Sequence, residues 1–419
     1  MKSKTLLFCL CVASAASLSA QSIPDRAIVL SGDTTADDHR QNIAIMYSRN
    51  NLAFEDPAAP RFLFLDKKGT VALGIGGYVK AVGMYDMRGA VNNNGFYTNM
   101  IPVPGNPAQR ERFGATANNS SIFLKLVSRP TKLGRIIVYI QSNFTGDDGN
   151  YGFKLKQAYV SIGNMTFGKA RTVFSDAPAM APTVDDQGPS GQVSAKNMLI
   201  KYESPSYSGF SYAVSVEVPD ASYTTGTTAS AISQRFPDIP LYLQYAWNGG
   251  DSHVRASGIL RELSYRNDIA AENKFATGWG LQFSAISKIV GGLTVFGHYT
   301  YGKGIASYIN DLADLGYDLI PDGNGKLHAP GSAGWTAGLQ YDFTSDFFIS
   351  ASYSQARLYD NKELGGDCYN YGQYIAANAF YNPIPDLRVG IEYLHGIRNN
   401  LNGESGHANR LEAMVQFSF

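Results

Sequence analysis

The sequence predicts an all-β protein, a transmembrane antiparallel β-barrel of about 16 strands. Three observations predict it: many segments alternate apolar and polar residues, short and long connections alternate between them, and the N-terminus is typical of an exported protein. Glycine (43 of 419 residues), Tyr (26) and Phe (22) are abundant, a composition that excludes a disordered chain and a coiled coil. Basic and acidic side chains are equal at 35 each, so nucleic acid is not an expected partner.

Residues 1–20 have the features of a signal peptide. Lys2 and Lys4 precede an apolar run over residues 5–16, and the small residues at 17–20 offer a cleavage site. The run is shorter than the ~20 residues that a spanning helix needs, and no later stretch reaches that length. We therefore expect export to the outer membrane of a Gram-negative bacterium or, if the barrel prediction is wrong, a soluble all-β protein.

The last twelve residues alternate most clearly. Leu411, Val415 and Phe417 fall on one face, whereas Arg410 and Glu412 fall on the other. A water-filled barrel places large apolar side chains outside and small or polar ones inside, whereas a sandwich packs large side chains between two sheets. The polar faces of other alternating segments carry Gly, Ser, Thr and Gln, which favours a wet lumen.

Short and long connections alternate along the chain. The predicted long loops lie near residues 88–119, 145–152, 175–197, 219–237, 266–275, 303–331, 359–370 and 400–407. Short periplasmic turns and long outer loops are typical of transmembrane barrels, and a barrel of this strand number holds an aqueous channel. Residues 61–419 are predicted to form the barrel. Residues 21–60 do not alternate and are predicted to be a periplasmic or lumen-entering segment with a short helix within 37–49.

Basic side chains occupy many predicted lumen-facing positions. A Lys or Arg on the lipid face near the midplane costs roughly 2–4 kcal/mol, so alternation and cost together predict that these side chains line the pore. The predicted basic ladder consists of Lys154 and Lys156 on strand 4, Lys169 and Arg171 on strand 5, Lys201 on strand 6, Arg255 and Arg261 on strand 9, Arg398 on strand 15 and Arg410 on strand 16.

The loop after strand 5 is predicted to fold into the lumen and to form a constriction. It carries Asp176, Asp185 and Asp186 and few apolar residues. A basic wall opposite an acidic loop would create a transverse field that favours charged solutes, and an excess of wall cations would favour anions. The alternative is that the basic side chains only solvate the lumen and pair locally.

Signals for catalysis, cofactors and metals are weak. The six histidines have no ligand spacing, and the chain contains neither a phosphate-binding Gly-x-x-x-x-Gly-Lys-Ser/Thr motif nor a Gly-x-Ser-x-Gly motif. We therefore expect no enzyme activity, no cofactor and no metal site.

Several segments resemble DcaP-type trimeric outer-membrane porins. Residues 74–86 resemble the first strand of that family, and residues 154–160, Lys-Leu-Lys-Gln-Ala-Tyr-Val, resemble its Arg-Leu-Arg-His-Ala-Tyr-Val strand. Residues 186–191, 302–309 and 382–393 also resemble family segments, so the resemblance covers roughly residues 60–419. It implies a 16-stranded homotrimeric porin in outer-membrane lipid that passes small anionic solutes, dicarboxylates included.

The predicted function is passive diffusion of small hydrophilic solutes with a bias to anions. Two alternatives remain open: a phosphate- or saccharide-selective porin, which would differ only in the side chains that line the narrowest part, and a surface adhesin whose outer loops bind a host.

Overall fold

The computed structural model describes residues 28–29, 37–48, 52–57, 59–66, 68, 70–91, 95–146, 151–289, 291–322 and 326–419. Within them, 16 antiparallel strands close a barrel, because the last strand pairs with the first. The predicted fold class is thus confirmed. The signal peptide predicted over residues 1–20 lies outside the described residues.

Each strand of the barrel pairs with the next one along the chain. The strands are β1 (Val71–Arg88), β2 (Arg112–Thr116 and Ser121–Ser128), β3 (Ile136–Asn143), β4 (Lys154–Ile162), β5 (Met165–Arg171), β6 (Lys196–Glu203), β7 (Phe210–Glu217), β8 (Ala229–Ala231 and Ile239–Trp247), β9 (Ser252–Asn267), β10 (Glu272–Lys288), β11 (Leu293–Lys303), β12 (Gly331–Asp342), β13 (Phe347–Leu358), β14 (Tyr369–Ile384), β15 (Leu387–Asn400) and β16 (Ser405–Ser418).

The remaining elements are short. They are helix α1 (Asp37–Met46), the strands Ile28–Val29, Phe62–Leu65, Ile320–Pro321 and Leu327–His328, and the single 3₁₀ turns Thr98–Met100, Ala177–Ala179, Asn248–Gly250, Ala306–Tyr308 and Asn310–Leu312. None of the helices in the described part of the chain is long and apolar enough to cross a membrane.

Side-chain alternation separates an outer apolar surface from a polar lumen. On β16, Phe417 is 43% exposed and Leu411 and Val415 are exposed beside it, whereas Arg410 and Glu412 are buried. Phe417 therefore faces outward, as predicted from the alternation of the last strand. Large apolar side chains on the outside and polar ones inside are the arrangement that lipid requires.

Several of the predicted outer loops overlap strands. Those predicted over residues 88–119 and 219–237 contain the strands Arg112–Thr116 and Ala229–Ala231, and the loop predicted over residues 266–275 shrinks to residues 268–271. The ladder of β9 and β10 continues to its end through polar residues, with Asn267 opposite Glu272. Backbone pairing alone extends these strands, so apolar alternation does not mark their ends.

Part of the N-terminal segment packs inside the barrel at the end that carries the short turns. The strand Phe62–Leu65 pairs with the beginning of β1, and helix α1 buries Ile43 and Met46 against it. The Lys125 ammonium group, on the inner face of β2, donates hydrogen bonds to the Ile45 and Met46 carbonyls at 2.8 and 3.2 Å. A cation at the C-terminal carbonyls of a helix is favourable, so this contact fixes the helix in the lumen.

Candidate pore and its constriction

The third outer loop, residues 172–195, leaves β5 and crosses the lumen to the opposite wall. Lys80 on β1 donates from Nζ to the Val184 carbonyl at 2.7 Å. Asn378 on β14 donates from Nδ2 to the Pro182 carbonyl at 2.8 Å, and the Glu392 carboxylate on β15 accepts from the Val184 N–H at 3.1 Å. The loop is thus tied to both sides of the barrel and narrows the channel.

The returning arm of this loop lies against the wall at a pair of glycines. A Cβ on Gly334 of β12 would lie 2.2 Å from the Gly191 carbonyl oxygen, and one on Gly191 would lie 2.3 Å from the Gln355 carbonyl oxygen. The Gly191 N–H donates to Ser354 Oγ at 2.8 Å, and His298 Nε2 lies 3.0 Å from the Gly191 carbonyl oxygen. The backbone of the loop and the barrel wall therefore approach each other so closely that only glycine fits at both positions.

Asp176, the first acidic residue of the loop, is bound to the barrel wall. Its carboxylate lies 2.8 Å from His253 Nε2 and accepts from Ser284 Oγ at 2.5 Å, and the Arg255 guanidinium is 3.6 Å away. Burial disfavours the charged form, but these cationic and donor groups hold the pKa of Asp176 well below its usual value. Asp176 therefore lies against the barrel wall, where these groups compensate its charge.

Asp185 is also buried, whereas Asp186 is not. The Asp185 carboxylate accepts from the Phe96 N–H at 2.8 Å and from the Tyr374 hydroxyl at 3.1 Å, so it too serves as an anchor. Asp186 is half-buried, and its charge acts on Tyr78 of the opposite wall. Of the three loop carboxylates expected at the constriction, Asp186 is the one that is not fully buried.

A row of three basic side chains crosses β4, β5 and β6 where the loop begins. Lys196 lies opposite Arg171 in the register of β5 and β6, and the charges of both Arg171 and Lys156 act on Lys196. Arg171 lies 3.1 Å from the Asp56 carboxylate and 3.6 Å from that of Glu55, which reach it from the N-terminal segment. We call these three residues the basic row.

A bulge gives Lys156 its place in the row. The register between β3 and β4 shifts between Leu155 and Gln157, and Lys154 lies opposite the inward-facing Asn143. An extra residue at such a shift turns successive side chains to the same side. Lys156 and Gln157 therefore both face the lumen, and Lys154 lies exposed at the outer end of β4.

The other two lysines of the predicted ladder lie outside the basic row. Lys201 faces the lumen, where its ammonium group pairs with Glu203 at 2.7 Å. Lys169 lies opposite Ala158 and Met198, and Met198 is 54% exposed on the outer surface. This register gives Lys169 an outer position, contrary to the prediction that it faces inward. Gly168, next to it, has a positive φ of 131°, which a reading of simple alternation does not anticipate.

The two arginines of β9 face inward but are occupied by internal partners. Arg255 donates two hydrogen bonds to Gln244 Oε1, at 2.9 and 2.6 Å. Arg261 is fully buried between Asp238 at 3.0 Å and Asp318 at 3.1 Å, which come from the fourth and sixth outer loops. These two arginines therefore pair locally with other side chains, which is the alternative to a solute-binding role that the sequence left open.

Arg398 and Arg410 are bound as well. The Arg398 guanidinium donates to the Asn99 carbonyl at 2.6 Å. Arg410 is completely buried, and its guanidinium lies 2.7 Å from the Asp86 carboxylate and 3.5 Å from that of Glu412. Removing one partner of a buried pair such as Arg410 with Asp86 costs about 3–5 kcal/mol. Both arginines also bind the first outer loop, Arg398 at the Asn99 carbonyl and Arg410 at the Val91 carbonyl. The predicted ladder thus divides into a short basic row and several structural ion pairs.

Several residues of the constriction were not predicted from the sequence. Lys80 and Glu392 hold the crossing loop. Alternation predicts that both side chains face inward, but it does not predict that they bind this loop. Lys196 is the first residue of β6 and lies two positions before the exposed Met198. Strict alternation would therefore predict that Lys196 faces away from the lumen. Glu55 and Asp56 lie in a segment without any period, which carries no positional signal.

The matches to known proteins agree on one class of outer-membrane protein. The family model described as DcaP outer membrane protein matches residues 67–322. No curated protein sequence matches the chain. Among solved structures, the outer membrane channel DcaP of Acinetobacter baumannii is similar at 20% identity and a TM-score of 0.73, over 85% of this chain and 99% of that chain.

Two other solved structures extend the likeness. The anion-selective porin from Comamonas acidovorans has 13% identity and a TM-score of 0.54, over 83% of this chain and 100% of that chain. The trimer form of OmpT of Vibrio cholerae has 11% identity and a TM-score of 0.53, over 84% of this chain and 100% of that chain. At these identities the likeness shows a shared barrel fold.

Proposed function

The chain belongs to the DcaP outer membrane protein family, and from this premise we propose that it is a porin for small hydrophilic solutes with a bias to anions, dicarboxylates among them. The barrel has the fold of outer-membrane porins, and a barrel of this strand number encloses an aqueous channel. Diffusion through it would need no cofactor and no chemical step.

The single observation that supports the anion bias is the basic row at the constriction. Lys156, Arg171 and Lys196 meet where the crossing loop begins, and the Arg171 guanidinium also contacts Met180 Sδ of that loop at 3.6 Å. Guanidinium and ammonium groups bind carboxylates by charge-assisted hydrogen bonds. In a narrow channel with low-dielectric walls, such charges raise the local concentration of anions.

A carboxylate on the far side supports a transverse field. Asp186 is half-buried near the point where the crossing loop is attached to β14 and β15 through Asn378 and Glu392. A solute anion would therefore be drawn toward the basic row and repelled from the opposite wall.

Ion selectivity in planar bilayers tests the proposal. We expect the protein to give a reversal potential that favours chloride in a potassium chloride gradient. The double variant Lys156→Gln with Lys196→Gln should lower the chloride-to-potassium permeability ratio by about threefold, because each charge acts across a few ångströms of water. Arg235→Gln, at an exposed position in the fourth outer loop, is the control. A channel without anion preference would refute the anion bias.

The same experiment separates the alternatives. Competition of the chloride current by phosphate but not by succinate would favour a phosphate-selective porin, and competition by a neutral sugar would favour a saccharide-selective one. A purified, folded barrel without conductance would favour a surface adhesin.

We further propose that the protein is a homotrimer in outer-membrane lipid and that residues 1–20 are removed during export. The trimer is supported by the trimeric form of the Vibrio cholerae structure and by small outward side chains such as Ala337 and Ala351. Crosslinking in detergent should yield trimers, and N-terminal sequencing of protein from outer membranes should begin near residue 21. Only monomers after crosslinking, or an intact N-terminus, would contradict these two points.

A further inference from the structure

Residues 52–57 carry two adjacent carboxylates into the lumen. The turn closes on itself, because the Asp56 N–H donates to the Ala53 carbonyl at 3.1 Å and the Ala53 N–H donates to the Asp56 carboxylate at 3.0 Å. Phe54 packs edge-on against the rings of Phe348 and Phe380, at centroid distances of 6.0 and 5.1 Å. The backbone and one aromatic ring thus hold the segment in place without the help of Glu55.

The two carboxylates meet the basic row. Asp56 is 3.1 Å and Glu55 3.6 Å from the Arg171 guanidinium, and both also act on the charge of Lys196. The Asp56 side chain is 4% exposed, whereas that of Glu55 is 41% exposed. The chain therefore places its own pair of neighbouring carboxylates on the site proposed for solute anions, one of them open to the channel.

We propose that Glu55 and Asp56 act as an internal ligand of the basic row and that dicarboxylate solutes compete with them for Arg171. The inference rests on the proposed anion-biased porin and names the site of competition and the class of solute. Two carboxylates that the chain joins through two adjacent residues present the same charged groups as a short dicarboxylate. Arg171 can exchange one carboxylate partner for another without becoming an unpaired charge in the lumen.

A purely structural ion pair is the simpler account, and the geometry argues against it for Glu55. A half-exposed carboxylate at 3.6 Å adds little stability, because water screens the interaction. Conduction, in contrast, requires a site that binds well enough for a solute to enter and weakly enough for it to leave. An internal competitor lowers the apparent affinity of the basic row for solutes and so supplies the second requirement.

Succinate block of the chloride current tests the competition. The double variant Glu55→Gln with Asp56→Asn removes the competing charges while keeping the size of both side chains. We expect the half-blocking concentration of succinate to fall roughly tenfold relative to the wild-type protein, because succinate no longer displaces a ligand. Asp251→Asn, whose carboxylate is exposed beside Lys288 in a short turn, should leave it unchanged.

The outcomes separate this inference from the proposed function. An anion-preferring wild-type channel whose succinate block is the same in the double variant would overturn the competition and leave the porin intact. A wild-type channel without anion preference would refute the proposed function itself. Heat-dependent gel mobility reports whether each barrel folds. Should the double variant not fold, Glu55→Gln alone, which keeps the pair between Asp56 and Arg171, should still lower the half-blocking concentration, and no shift there would overturn the inference.

Discussion

At the residue scale, the contact of Gly191 with Gly334 positions the returning arm of the crossing loop. Gly334 sits on an inward-facing position of β12, and any side chain there would meet the loop backbone. The loop is attached at its far tip by Lys80 and Glu392, so a push at the glycines would bend it between two fixed points. The width of the channel therefore depends on the absence of a side chain at Gly334.

Gly334→Ala is predicted to displace the loop. The added Cβ would lie 2.2 Å from the Gly191 carbonyl oxygen, and overpacking of this kind typically costs about 1–3 kcal/mol. We expect a lower melting temperature and an altered single-channel conductance. Gly83→Ala on β1 is the matched control, because nothing lies within 4 Å of a Cβ there. Equal conductance and stability in the two variants would show that the loop is not pressed against the wall.

Individual residues mark how far the sequence can predict the site. Alternation places Lys201, Arg255 and Arg410 in the lumen, and the structure agrees. It cannot tell that Arg410 is neutralised by Asp86, since that partner lies 324 positions away. It also cannot place Lys169, because the preceding glycine adopts a backbone conformation that has no signature in the sequence.

At the element scale, the 3₁₀ turn Asn310–Leu312 of the sixth outer loop ties three loops together. The Asp311 N–H donates to the Ser190 carbonyl of the third loop at 3.0 Å, and the Thr98 hydroxyl of the first loop donates to the Asp311 carboxylate. Asn99 Nδ2 donates to the Asp311 carbonyl at 2.9 Å. Asp311 is therefore the junction of the three loops, with its backbone binding Ser190 and Asn99 and its carboxylate binding Thr98.

The junction should loosen as the pH rises. Burial raises the pKa of Asp311 to about 7, far above its usual value of 3.8. Between these two values the folded protein binds a proton at Asp311 that the unfolded chain does not, so the contribution of Asp311 to stability is greatest below pH ~4 and is lost as the pH rises through about 7. Hydrogen exchange of the first, third and sixth loops should be faster at pH 8 than at pH 6.

Asp311→Asn is the matching variant, because an amide keeps the shape and cannot ionise. Its loops should exchange at a rate that depends on pH only through the intrinsic chemistry of the amides. If wild type and variant respond identically to pH, ionisation of Asp311 does not control the junction.

Elements were predicted more completely than the contacts between them. The connections and the helix within residues 37–49 follow from local composition, and the helix is found at Asp37–Met46. The position of that helix in the lumen depends on Lys125 of β2, which binds it across about 80 residues of chain. No local pattern encodes such a contact.

At the scale of the whole molecule, the barrel closes along one seam. β16 pairs with β1 from Ser418 opposite Tyr78 to Asn409 opposite Arg88. Beyond the end of β16, the Gly77 N–H donates to the Phe419 carbonyl at 2.8 Å, and the Phe419 N–H donates to the Gly77 carbonyl at 2.9 Å. The strand Phe62–Leu65 then continues the same edge of β1.

Removing Phe419 is predicted to weaken this seam. Deletion removes two backbone hydrogen bonds, each of which contributes about 0.5–1.5 kcal/mol. We expect unfolding at a lower urea concentration, measured by the loss of heat-dependent gel mobility. Phe419→Ala keeps both backbone bonds and should unfold close to the wild-type concentration. A deletion variant as resistant as the alanine variant would show that the seam is closed without the terminal residue.

The burial of Arg261 between Asp238 and Asp318 has a consequence for a cell whose surroundings change in salinity. Dissolved ions cannot reach charges that are completely buried, so the ion pairs of Arg261 with Asp238 and Asp318 are equally strong at low and at high salt concentration. The Glu55 side chain, beside the basic row, is 41% exposed to water, where the screening length of a charge falls from ~10 Å at 0.1 M salt to ~3 Å at 1 M. The width of the channel would then be independent of the salt concentration, whereas its ion selectivity would weaken as the salt concentration rises. The channel would therefore be most selective in fresh water.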